Sequence, residues 1–141
     1  YFTLLPSLDH VGTTIDDLQW SELLRSVSAF EMYRKQYQTI TVPRVIQFLV
    51  LDDKFPRAVR YCLEEALLSL KAISNQGQKR PFDDPPRNPA EVELTGLCQE
   101  LGSADVALII QRGMHQFVDH LQRRLNDVGN CVYSQFLSIG P

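Results

Sequence analysis

WSELLRSVSAFEMYRKQY, residues 20–37, carries the pattern on which the fold reading rests. Trp20, Leu23, Leu24, Val27, Phe30, Tyr33 and Tyr37 recur there at steps of three and four residues. Glu22, Arg25, Ser26 and Lys35 fall off that stripe. A strand alternates in twos and cannot keep these residues on one face, whereas a helix of 3.6 residues per turn does. The spacing predicts one continuous helix of about five turns, with Asp16 and Asp17 placed where carboxylates favour a helix N-terminus.

Upstream, residues 1–14 keep no period and contain Pro6 and Gly12, so they read as an irregular lead-in. Downstream, Thr41 opens a shorter segment in which Pro43 is tolerable only in the first turn. Val45, Ile46, Phe48, Leu49 and Val50 make it apolar nearly all round, as a buried helix would be. Asp53 is the expected cap of the next helix, with Pro56 in its first turn. Val59, Cys62, Leu63, Ala66, Leu67, Leu70 and Ile73 keep the helical period to about Ser74, with Glu64, Glu65, Ser69 and Lys71 assigned to the opposite face.

Residues 75–89 hold Gly77, several prolines and little apolar content beyond Phe82, and are expected to form a mobile surface loop. Asn88, Pro89 and Glu91 then spell a helix start, namely a capping Asn, proline at the first helical position and Glu three residues after the cap. Val92, Leu94, Leu97, Cys98 and Leu101 follow. Gly102 interrupts, Ser103 or Asp105 restarts a short helix to Gln111, and Gly113 bends the chain into a last segment. That segment places Met114, Phe117, Val118, Leu121, Leu125, Val128, Val132 and Phe136 at helical spacing, and the tail from Ser138 should fray. Apolar stripes of this kind bury only against one another, so the expectation is all-α, an antiparallel bundle of about five helices forming a single domain over residues 1–141.

Composition narrows the function. Fourteen basic against seventeen acidic side chains, a net charge of -3, do not supply the basic field of a nucleic-acid module. A helix-turn-helix reading of residues 41–61 fares no better, because its turn carries Asp52 and Asp53. No apolar run approaches the roughly 20 residues that cross a bilayer. Cys62, Cys98 and Cys131 are widely spaced and odd in number, which suits reduced core thiols and a soluble, cytoplasmic protein. The sequence begins at Tyr1, and the expectation is a piece of a longer polypeptide.

No Gly-rich phosphate loop, HExxH or GxSxG is present. His115 and Asp119 share a helix face but His120 is turned away from it, so solvated or locally bonded side chains are expected rather than metal ligands. No catalytic residue, metal or cofactor is assigned. The residues best suited to contact a partner or ligand are Glu31, Tyr33, Arg34, Asp52 and Arg57. Glu31 and Arg34 are three apart and can pair, and the turn at Asp52 to Arg57 presents polar groups on a rigid frame.

Three stretches resemble a known family. SAFEMYR at residues 28–34, FLVLD at 48–52 and FPRAVRYCL at 55–63 are similar to the bacterial alpha-E domains, alpha-helical domains with a Glu-Arg motif. GMHQFV at 113–118 is similar to their closing helix, and the likeness spans about Gln19 to Asp127. No adjacent Glu-Arg pair occurs in the chain, so the resemblance is to the C-terminal half of such a domain. It implies an uncharacterised interaction or scaffold role, as an accessory component of peptide ligation or modification. An ATP-grasp-type ligase or transglutaminase-like protein is the implied partner. A homo-oligomer is compatible with the same reading, and half of an enzyme completed by a missing N-terminal region is the alternative.

Overall fold

The computed structural model describes residues 14–137, and of these the side chains of residues 18–136. The expected lead-in and tail lie outside the described residues. The helices are α1 (Thr14–Ser26), α2 (Phe30–Gln36), α3 (Val42–Ile46), α4 (Val59–Ser74), α5 (Pro89–Gly102), α6 (Val106–Arg112) and α7 (Met114–Val132), with π-helical turns at Gln47–Leu51 and Tyr133–Leu137. No strand occurs among the described residues. The fold is all-α and packs as a bundle, with α4 against α5, α5 against α7, and α3 against both α6 and the start of the π turn.

The stripe at residues 20–37 is folded as two helices, not one. Ser28 takes a left-handed backbone (φ 57°), and its N–H bonds Arg25 O while Ala29 N–H bonds Leu24 O at 2.7 Å. These bonds close α1 and let the chain turn before Phe30. The apolar period survives the break because both helices face the same interior. Trp20, Leu23 and Leu24 of α1 and Tyr33 of α2 are all buried.

Helix α3 starts as expected, with Thr41 Oγ1 accepting from Arg44 N and Pro43 in the first turn. From Gln47 the turns widen to i→i+5 bonding. Phe48, Leu49, Val50 and Leu51 are consequently consecutive and all buried. Neither Asp53 nor Asp52 caps the next helix, whose N-cap is Ala58 without a side-chain bond; Asp52 instead closes the turn before it. Its Oδ1 accepts from Lys54 N (2.7 Å) and Phe55 N (2.9 Å), and α4 begins only at Val59, with Pro56 in the preceding turn.

The floor of the bundle is Leu63, Leu67 and Leu70 of α4, Leu94, Leu97 and Leu101 of α5, and Met114, Val118 and Leu121 of α7. Several residues assigned to stripes are exposed instead, namely Cys62, Ala66, Ile73, Val92 and Phe136. Ile73 and Val92 are more than half exposed. Val92 stands two positions, about 200° of helix, from Leu94. At the far end Asn88 and Asp105 cap α5 and α6 as the sequence indicates, through Glu91 N and Ala107 N. Gly113, at φ 115°, makes the bend into α7, a conformation side-chained residues rarely adopt. No helix is long and apolar enough to cross a membrane, among the described residues.

Candidate functional site

The corner where the α1–α2 turn meets the turn into α4 gathers the residues singled out from the sequence. Tyr33 is its interior post. The ring is fully buried, the hydroxyl donates to Thr39 O at 2.8 Å, and it accepts from Thr41 N at 3.4 Å. Tyr37 lies 5.0 Å from that ring, Phe48 meets it edge-on at 5.6 Å, and Phe55 stacks on Phe48 at 4.3 Å. Burial pushes the Tyr33 phenol above its ordinary range, with the bond from Thr41 and the Arg44 charge opposing. Burial, then the Asp52 charge, does the same at Tyr37. Arg44 sits over the Tyr37 ring and donates to Thr39 Oγ1.

Arg57 reaches back across the corner, and its Nη1 donates to Ser28 O at 2.9 Å, tying the turn before α4 to the left-handed residue between α1 and α2. Tyr33, Asp52 and Arg57 therefore hold the corner together. Glu31 and Arg34 lie exposed on α2 and form no ion pair with each other, contrary to their spacing. Arg34 instead lies 5.9 Å from the Phe30 ring centroid, a ring on which Arg25 also sits at 4.3 Å. Met32, about 200° of helix from Phe30 and Arg34, is 47% exposed.

Sequence reasoning missed a second polar constellation, beneath residues 75–88. This segment is not a free loop, because two buried cations tether it. Lys71 Nζ donates to Phe82 O and Asp84 O, both at 2.6 Å. Arg80 bonds Asp84 Oδ2 at 2.6 Å, Glu91 Oε1 at 2.8 Å, Pro85 O and Lys71 O. Glu91 is fully buried, and Asn88 Nδ2 donates both to its carboxylate and to Ser74 Oγ. Burial works to raise the Glu91 carboxyl, but hydrogen bonding from Ser74 and Arg80 and the Arg80 charge outweigh it and hold it below the usual range. The Arg80 hydrogen bond likewise holds Asp84 low, against burial. Two signals for this cluster were legible. Lys71 follows Leu63 and Leu67 at four-residue steps, and Glu91 precedes Leu94 and Cys98 by three and seven, so both sit on apolar stripes.

A cavity of about 440 Å³ lies between the end of α5, α6 and the start of α7. On its wall Glu100 Oε1 meets His120 Nε2 at 2.6 Å, while Glu100 Oε2 accepts from Arg124 at 2.8 Å. His115 is exposed, and Asp119 approaches Arg123 at 3.8 Å. Among the described residues no group of three or more His, Cys, Asp or Glu side chains is placed to hold a metal ion. The cysteines divide differently from expectation. Cys98 is buried, Cys131 half-buried, and Cys62 exposed, its Sγ donating to Pro56 O.

Neither a curated protein nor a solved structure matches the chain. One family model does, over residues 1–137, that of Alpha-E, "a predicted alpha-helical domain with a conserved ER motif". The match takes in the corner, the tethered segment and all seven helices, and extends beyond the stretch over which the sequence motifs show the likeness. The chain belongs to the Alpha-E family.

Proposed function

We propose that this chain is a non-catalytic interaction module that docks a partner protein through the exposed face of α2 and the turn leading into α4. The observation that supports the reading is Met32. It is a large apolar side chain left half in water on α2, about 200° of helix away from Phe30 and its arginines and so without their cover. Methionine, aromatic and arginine side chains are the types enriched where proteins meet. Beneath them the Tyr33 hydroxyl, the Asp52 turn and the Arg57–Ser28 bond fix the backbone, so little ordering entropy is left to lose on binding. The family resemblance implies an ATP-grasp-type ligase or transglutaminase-like protein as the partner, and the odd, widely spaced cysteines support a cytoplasmic setting.

Retention of such a ligase on immobilised chain tests this. Wild-type chain is expected to hold it, and Arg34→Glu or Met32→Asp to weaken retention at least about tenfold, a loss of about 1.4 kcal/mol, with the helical circular dichroism unchanged. Retention that both variants leave intact, self-association instead of capture, or no capture at all contradicts the reading.

A second reading, that the chain supplies half of an active site, draws on Glu100 and His120. An imidazole hydrogen-bonded to a carboxylate on a cavity wall is the arrangement of an oriented general base. Loss of activity in full-length His120→Gln with partner capture intact favours it; unchanged activity removes it.

A further inference from the structure

A second cavity, of about 350 Å³, is enclosed by α4, α5 and the tethered segment. Its size falls within the range of small-molecule sites. Leu67, Phe82 and Pro85 give it apolar walls, and Lys71, Thr95 and Cys98 line it as well. Two features of this lining stand out. Thr95 Oγ1 is buried and has no hydrogen-bond partner. Lys71 Nζ, also buried, spends two donors on Phe82 O and Asp84 O, whereas an ammonium has three. An unmade hydrogen bond of a buried hydroxyl costs free energy that an acceptor entering the cavity would recover.

The charge around the cavity selects what that acceptor is. Lys71 and Arg80 are balanced by Asp84 and Glu91, Glu64 is paired with Arg60 at 3.0 Å, and one more carboxylate, Asp83, lines the cavity. A further anion would face these acids without a cation of its own. Burial, with the Glu64 charge adding to it, pushes the Cys98 thiol up to about 11, so the wall it contributes is a neutral, weakly polar one.

We propose that this cavity binds a small uncharged carbonyl compound, its oxygen accepting from Thr95 and Lys71 and its apolar body packed on Leu67, Phe82 and Pro85. The site is separate from the α2 corner, and no step of covalent chemistry is involved.

Three probes of matched shape test it: acetophenone, ethylbenzene and benzoate, titrated against the full chain with methyl resonances of Thr95 and Leu67 as the readout. Acetophenone is expected to shift both and to bind about tenfold tighter than ethylbenzene, the preference of roughly one hydrogen bond. Benzoate is expected to bind more weakly than acetophenone. Thr95→Val should abolish the acetophenone preference and, without probe, leave the melting temperature unchanged or raised; Thr95→Ser should restore the preference. Equal binding of acetophenone and ethylbenzene, tighter binding of benzoate, no binding of any probe, or a melting temperature that falls in both Thr95 variants would each overturn the proposal.

Discussion

Arg80 Nη1 lies 2.8 Å from Glu91 Oε1 with both side chains almost wholly removed from water, 2% and 0% exposed. Arg80 comes from the segment after α4 and Glu91 from the first turn of α5, so this pair closes a sequence whose composition alone reads as loose. Removing Glu91 leaves the buried Arg80 with Asp84, at 2.6 Å, as its remaining counter-charge. Glu91→Ala is expected to destabilise the fold by roughly 2–3 kcal/mol, and the double variant Arg80→Met, Glu91→Leu to recover part of that loss. Urea denaturation of the three proteins measures it. A double variant worse than Glu91→Ala would show that the surrounding hydrogen bonds, not the buried charge, dominate.

The same cluster sets the acid limit of stability. Glu91 and Asp84 both titrate below their ordinary values of 4.5 and 3.8 in the folded chain. The unfolded chain therefore takes up protons first as pH falls. The stabilisation is fully present above the ordinary carboxylate values and declines as pH drops from there through the lowered folded values. Denaturation midpoints followed from pH 6 to pH 2 should show this fall, and Glu91→Gln should flatten it.

At the alkaline end the sign reverses. Cys98 holds its proton to about 11 in the folded state against an ordinary 9.0, and Tyr33 also titrates above its ordinary 10.0. The unfolded chain loses these protons first, so stability is full below pH 9 and declines as pH rises through the folded values. At pH 8 a maleimide should label exposed Cys62 readily and leave Cys98 unmodified until the chain unfolds. Labelling of Cys98 as fast as Cys62 would contradict its burial.

The corner offers two opposed substitutions. Ser28→Gly removes the cost of a left-handed serine, less glycine's larger entropy loss, and should stabilise by roughly 1 kcal/mol or less. Asp52→Ala removes the acceptor of two backbone N–H groups and should cost about 1 kcal/mol. Thermal unfolding checks both. Tyr33→Ala, which takes a buried ring from the core, is expected to cost about 3–5 kcal/mol and so cannot report on binding.

How far the sequence could be read follows from which forces are local. The stripes of α4, α5 and α7 and the caps at Asn88 and Asp105 depend on residues within a turn or two, and apart from outward-facing Cys62, Ala66, Ile73 and Val92 and inward-facing Lys71 they stand close to where the periodicity puts them. The break at Ser28 carried no glycine or proline to announce it; it is imposed by packing, with Arg57, twenty-nine residues away, bonding its carbonyl. Arg80 was equally silent, since its partners are set by the path of the chain back from α4 to α5. Of the corner residues, the spacing identified Tyr33 and Asp52 as important without distinguishing frame from surface. That distinction is one of burial: Tyr33 turns inward, while Glu31, Met32 and Arg34 turn outward.

The chain's two methionines give the most direct test of the docking face. Met32 is 47% exposed on α2, and Met114 is 2% exposed in the core. Hydroxyl-radical footprinting of the isolated chain should oxidise Met32 and spare Met114. In complex with the ligase partner, Met32 should become protected by about tenfold or more, on the order of the burial expected at an interface centre, with Met114 unchanged. Oxidation of Met32 at the same rate in the complex as in the free chain would contradict the account.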